Sequence, residues 1–169
     1  MDTGMTIEVR LLADVPRLIE PVGRMRCAEW GSEDTLEEWI DTTRREAGRD
    51  DLPVTWVTVD DHGAALGAVA LGSSDVAGRP ELLPCILGMV VREDVRGRGV
   101  GRLLLRELER SAVARGHPVV WVATGPPAVA YYERCGWRWT EELPGGTLLC
   151  KRVGVPETAP DPTSSASTD

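Results

Sequence analysis

The sequence predicts an α/β (α+β) mixed-sheet domain, and three observations carry that reading. Period-two apolar stretches alternate with helix-spaced ones in the order β-α-α-β-β-β-α-β-α-β-β. No apolar run approaches the roughly 20 residues that a membrane span needs. The chain of 169 residues, 42% of them hydrophobic, is of a size for one core and shows no internal repeat.

Thr6-Ile7-Glu8-Val9-Arg10-Leu11 alternates polar and apolar residues and reads as a first strand. Asp14 before Val15-Pro16 marks a helix start, with Leu18, Ile19, Val22 and Met25 at helical spacing and Trp30-Gly31 closing the segment. A second helix begins at Ser32-Glu33-Asp34 and carries Leu36, Trp39 and Ile40 on one face. Val54 to Val59 is a β-branched strand, Asp60-Asp61-His62-Gly63 a turn, and Leu66 to Leu71 the returning hairpin partner. A Gly/Ser/Pro loop over 72–84 leads into the strand Ile86–Val91. A Gly-rich turn then opens a helix over Gly101–Arg115, with Leu103, Leu104, Leu108 and Ala112 facing inward. Val119–Ala123 reads as a buried strand and Ala128–Arg134 as a short helix. Trp137–Glu141 and Leu148–Arg152 form a final hairpin around Pro144-Gly145-Gly146. The segment 154–169 is rich in Pro, Ser, Thr and Asp without apolar period and reads as a disordered tail, which sets the domain at 1–153.

The net charge of −8 repels phosphodiesters and anionic lipid headgroups, so neither nucleic acid nor a membrane is the expected partner. The same field tolerates a cationic substrate. Met1-Asp2-Thr3-Gly4-Met5 lacks the basic flank and apolar stretch of a secretory signal, so the expected location is cytoplasmic. Cysteines at 27, 85, 135 and 150 form no C-x-x-C pair, and His62 and His117 both sit in turn sequence. Metal is therefore not expected, the thiols read as free and reduced, and Ser-His-Asp chemistry is disfavoured.

Chemistry concentrates in Arg92-Glu93-Asp94-Val95-Arg96-Gly97-Arg98-Gly99-Val100-Gly101-Arg102, between an apolar strand and an amphipathic helix. Alternate glycines let the backbone bend and a ligand approach, and the amides of a helix N-terminus favour a phosphate. This turn is not a Walker A loop, since the chain's one lysine is Lys151. Nor is it a dinucleotide fingerprint, because Arg102 stands where G-x-G-x-x-G needs its last glycine.

The run Arg96-x-x-Gly99-x-Gly101 resembles the acyl-CoA pyrophosphate loop of the GNAT N-acetyltransferase superfamily, [QR]-x-x-G-x-[GA]. About thirty residues on, Ala130-Tyr131-Tyr132-Glu133-Arg134-Cys135-Gly136-Trp137 is similar to that superfamily's A-x-x-[FY]-Y-E-x-x-G-[FW] segment in compact form. The likeness covers roughly residues 5–153 and the order of elements. It implies a mostly antiparallel twisted sheet, splayed at the acyl-CoA site and flanked by about four helices. It also implies acetyl-CoA as co-substrate, with its pyrophosphate held by the backbone of Arg96, Gly97, Arg98, Gly99, Val100, Gly101 and Arg102. Met89, Val90 and Val91 would pair with the pantetheine arm, and a backbone N–H near Met89 or Val90 would polarise the thioester carbonyl.

Tyr132 matches the family's general acid, while Tyr131 reads as core. Ile86 to Val91 contains no carboxylate, so the general base is left among Glu29, Glu33, Asp34, Glu81 and water. Glu93 and Asp94 lie on the cofactor side and are less well placed. Trp30 and Trp39 read either as core or as walls of an acceptor pocket. The implied activity is N-acetylation of a primary amine by direct attack, on a small cationic metabolite or antibiotic. Acetylation of peptide N-termini and non-catalytic acyl-CoA binding in a regulatory module are the alternatives. A homodimer would be in keeping with the family.

Overall fold

The computed structural model describes residues 4–154. The predicted tail lies, apart from Gly154, outside the described residues. Among these, seven strands form one open sheet: β1 (Glu8–Leu11), β2 (Val54–Val59), β3 (Ala65–Gly72), β4 (Cys85–Val91), β5 (Val119–Thr124), β6 (Arg138–Leu143) and β7 (Gly146–Arg152). Their spatial order is β1-β2-β3-β4-β5-β7-β6, antiparallel throughout except where β4 and β5 run parallel. Four helices complete the fold: α1 (Ile19–Trp30), α2 (Leu36–Arg45), α3 (Val100–Ala114) and α4 (Pro126–Arg134).

The sheet has a separate apolar cluster on each face. Leu12, Leu18 and Val22 pack with Val57, Val59, Ala68 and Val90 on the α1 side. Leu104, Leu105, Leu108 and Ala112 of α3 pack on Trp56, Leu66 and Leu71 on the other. Every residue of β2 and β3 is buried. Covering on both faces explains their near-continuous apolar sequence, where a one-faced strand would alternate.

The ends of several elements depart from the expected positions. The chain after β1 makes two 3-10 turns (Leu12–Asp14 and Pro16–Leu18) before α1. Pro16 sits at the start of the second turn, so its missing donor is harmless there. The Ser32 signal opens a further 3-10 turn, Glu33–Thr35, closed by a reciprocal Ser32–Thr35 capping box ahead of α2. On α3 the inward position falls to Leu105, with Leu103 only partly covered. The last hairpin turns at Pro144-Gly145, ahead of Gly146, which already belongs to β7.

Candidate functional site

Two irregularities in β4 shape the site. The parallel neighbours β4 and β5 pair at one position, Cys85 with Trp121, beside the Trp121 N–H donating to the Pro84 carbonyl at 3.0 Å. Beyond it the strands part, and a cleft opens between Gly88-Met89 and Val122–Thr124. Along the β3–β4 ladder, Ala68 faces Val90 while Ala70 faces Leu87, so β4 carries one extra residue there. This bulge falls at Gly88-Met89, and Gly88 takes φ +50°, a conformation that disfavours any side chain.

Two cavities meet at this point. The smaller, about 460 Å³, runs under the turn between β4 and α3. Met89, Val90, Val91, Arg96, Gly97, Gly99, Val100, Gly101 and Arg102 all line it, as do both tyrosines of α4; the exposed Arg98 does not. Gly97 and Gly99 have φ +80° and +83°, and a Cβ on either would meet open space. These glycines therefore answer a backbone requirement and leave the surface above them bare for a ligand. Gly99 is the N-cap of α3, and no side chain caps the helix. The uncapped amides and the helix dipole suit a pyrophosphate. The Arg96 guanidinium donates to the Val91 carbonyl at 3.0 Å and pairs with Glu29 at 3.2 Å.

Tyr132 is 4% exposed and stands where the cavities join, lining both. Its hydroxyl donates to the Met89 sulfur at 3.3 Å, a weak acceptor. Its ring meets Trp137 edge-on at 5.5 Å and Tyr131 at 5.7 Å. Burial, with smaller contributions from Tyr131 and Cys135, pushes the phenol well above its ordinary value. Tyr131 is only partly buried; its buried hydroxyl lies where a Cβ on Gly101 would collide. It is therefore a wall of the smaller cavity as well as packing.

The larger cavity, about 900 Å³, lies between α1, α2, the loop after β3 and the β6–β7 turn. Trp30 and Trp39 stack at 5.8 Å on its wall, and Trp30 is 49% exposed, so this pair is not core. Of the expected base candidates only Glu29 lines this cavity. Glu33 and Asp34 are exposed on the turn before α2, and Glu81 is bound to Arg79 at 2.6 Å.

Glu46 and Asp75 line the cavity instead, and sequence reasoning passed over both. Burial raises the pKa of each; for Glu46 the Arg26 charge opposes the rise. Arg26 pairs with Glu46 at 3.1 Å, whereas the Asp75 carboxylate has no ion pair or hydrogen bond among the described residues. Asp75 lay in a loop read only as Gly/Ser/Pro-rich, and the buried Arg26 interrupts an otherwise apolar helix face. That interruption was the one signal available.

All four cysteines are free, Cys27 and Cys85 buried and Cys135 and Cys150 partly so. No group of three or more potential metal ligands occurs among the described residues, and no helix there is long and apolar enough to cross a membrane.

The family model described as the acetyltransferase (GNAT) family matches residues 20–137. No curated protein matches the sequence at a significant level. Among solved structures, the GNAT family N-acetyltransferase YhbS from Escherichia coli in complex with CoA superposes with a TM-score of 0.67 at 22% identity, over 90% of this chain and 84% of that one. The PaiA N-acetyltransferase from Thermoplasma acidophilum, with coenzyme A, gives 0.65 at 18% identity over 88% of this chain and 99% of that one. An aminoglycoside 6'-N-acetyltransferase complexed with coenzyme A gives 0.67 at 16%, over 93% of this chain and 100% of that one. These similarities bear out the expected fold, an open seven-stranded mixed sheet with four helices.

Proposed function

The chain belongs to the GNAT acetyltransferase family, and from that premise we propose that it transfers an acetyl group from acetyl-CoA to a primary amine on a small cationic molecule. The observation that carries this reading is the junction at Tyr132. A glycine turn suited to pyrophosphate opens on one side of it and a carboxylate-bearing cavity on the other, with the β4 bulge between.

In this reading the amides at the start of α3 hold the pyrophosphate, and the splayed edge of β4 receives the pantetheine arm as a strand would. The amine enters past the Trp30–Trp39 pair, attracted by the unpaired Asp75 carboxylate. Its nitrogen attacks the thioester carbon, and the Met89 N–H stabilises the oxyanion. The C–S bond then breaks, and the thiolate takes the Tyr132 phenolic proton. The proton lost from the amine leaves through the acidic wall of the cavity to solvent.

Calorimetric titration with acetyl-CoA, with ATP and NAD as controls, tests the premise of this mechanism. One-site binding of acetyl-CoA alone, followed by amine-dependent CoA release, is the expected result. Absence of acetyl-CoA binding refutes the proposal, and binding without CoA release across an amine panel leaves a binding module in its place.

A further inference from the structure

Arg26 is a charged side chain at 1% exposure inside α1. Burial lowers its pKa and raises that of Glu46, so desolvation outweighs mutual attraction for both partners. Such a pair is a poor device for stability, since apolar side chains of similar size commonly serve as well or better. Its contacts indicate a different role.

Nη1 donates to Thr43 Oγ1 and to Glu46 Oε1, both at 3.1 Å. Thr43 Oγ1 in turn donates to the Trp39 carbonyl at 2.8 Å, so the guanidinium is anchored to α2. On its other edge, Nε donates to the Gly88 carbonyl at 3.1 Å. The guanidinium also lies against the Gly88 Cα: a Cβ there would stand 2.7 to 2.9 Å from Nε, Cζ and Nη2. Two independent constraints, the positive φ and this contact, therefore require glycine at 88.

The Gly88 carbonyl belongs to the bulge peptide, where the ladder to β3 loses register. A bulge peptide has weaker ladder restraint than its neighbours and needs another fixture. In a planar trans peptide the C=O and N–H point in opposite directions. Drawing the Gly88 oxygen toward Arg26 thus turns the Met89 N–H away from Arg26. Gly88 and Met89 both line the cleft that Tyr132 faces.

We propose that Arg26 is a positioning residue that holds the Gly88–Met89 peptide so that its N–H is presented to the thioester carbonyl oxygen. The inference rests on the function proposed above and adds what fixes its oxyanion donor. The same side chain is anchored to the helix carrying Trp39, so the acceptor wall and the donor peptide are held by one group.

The test uses the full chain, acetyl-CoA labelled with ¹³C at the thioester carbonyl, and isotope-edited infrared spectroscopy. Two variants are compared with the wild type. Arg26→Met combined with Glu46→Leu removes both charges together. Arg26→Lys keeps a charge beside Glu46 but lacks the fork needed to reach α2 and Gly88 at once. In the wild type, binding is expected to lower the carbonyl stretching frequency. In both variants that shift is expected to collapse, and kcat to fall about 10- to 100-fold, approaching the roughly 10²–10³-fold cost of deleting an oxyanion donor. The Kd for acetyl-CoA is expected to stay within about twofold of wild type, because the pyrophosphate turn is untouched. Should the double variant fail to fold, Arg26→Lys alone decides.

A retained frequency shift in a folded variant overturns the inference, even with kcat reduced, because the donor would then be in place without Arg26. Acetyl-CoA binding to the wild type without any shift overturns this inference alone. No acetyl-CoA binding at all overturns the proposed function with it.

Discussion

Replacing Tyr132 with phenylalanine isolates one proton. The hydroxyl's partner is the Met89 sulfur at 3.3 Å, so removing it leaves no strong buried acceptor unsatisfied. The ring contacts with Trp137 and Tyr131 persist. The variant should therefore lose less than about 1 kcal/mol of stability. Turnover should suffer more. The phenol lies above its ordinary value of 10 because it is buried, while a free thiol titrates near ~8.5, so full proton transfer to the thiolate is uphill by at least ~1.5 units, about 2 kcal/mol. That penalty limits the advantage to what a strong hydrogen bond to a developing anion supplies, about 1.5–3 kcal/mol. The expected loss in kcat is accordingly about 10- to 150-fold, at the low end of general-acid effects. With thiol release followed at saturating amine, KM for acetyl-CoA should hardly change. Since burial keeps the phenol protonated, Tyr132 should impose no fall in rate up to about pH 10. Turnover within twofold of wild type in Tyr132→Phe would refute the general-acid role.

Asp75→Asn removes the unpaired carboxylate of the larger cavity; KM for a cationic amine should rise about tenfold or more, with KM for acetyl-CoA unchanged, in steady-state assays. The pH dependence has a definite sign: burial holds the Asp75 pKa above 3.8, so amine affinity should decline, as pH falls, sooner than an exposed aspartate would dictate, and the variant should lack that limb. The raised folded-state pKa also means that Asp75 favours folding at low pH and that this contribution is lost as pH rises past the unfolded value. Asp75→Asn should hence raise Tm at neutral pH in a thermal melt, a gain in stability set against lost function. Gly99→Ala places a side chain at φ +83°, a strain of roughly 1–2 kcal/mol, and distortion of the turn should weaken acetyl-CoA binding about 5- to 30-fold by calorimetry. In chemical denaturation, Arg26→Met alone should cost about 3–5 kcal/mol by stranding Glu46, and adding Glu46→Leu should recover most of it.

The glycine turn, which the proposed function assigns to the pyrophosphate, was legible in the sequence because backbone geometry holds it together. Pyrophosphate binding demands glycines and a helix start within a few residues, and such a requirement shows as a local motif around Gly97, Gly99 and Gly101. The seven strands and four helices were legible for a similar reason, since each has its own period. What stayed hidden depends on tertiary contact. The bulge at Gly88-Met89 arises from a mismatch of register between two strands, and no periodicity within β4 announces it. Glu46 at the end of α2 looks like a helix-terminal surface acid, and only the crossing of α1 brings Arg26 onto it. Glu33, Asp34 and Glu81 were reasonable by chain position, yet Glu81 is spent on Arg79 and the other two face solvent beside the capping box.

The larger cavity, which the proposed function assigns to the acceptor, follows different logic. Its walls come from α1, α2, the loop after β3 and the β6–β7 turn, so no short segment encodes it. Its charges nonetheless reduce to a simple balance. Arg26 cancels Glu46 at 3.1 Å, and Glu29 is occupied by Arg96 at 3.2 Å. Of the three carboxylates that line the cavity, Glu29, Glu46 and Asp75, only Asp75 has no ion pair among the described residues. A neutral amine gains little from such a cavity, and an acceptor with a carboxylate beside its amine meets net repulsion. A cationic group carried next to the reacting amine meets Asp75, with the face of the Trp30–Trp39 pair alongside. On the proposed function, selection for a cation therefore rests on Asp75, because Arg26 and Arg96 are already committed to Glu46 and Glu29.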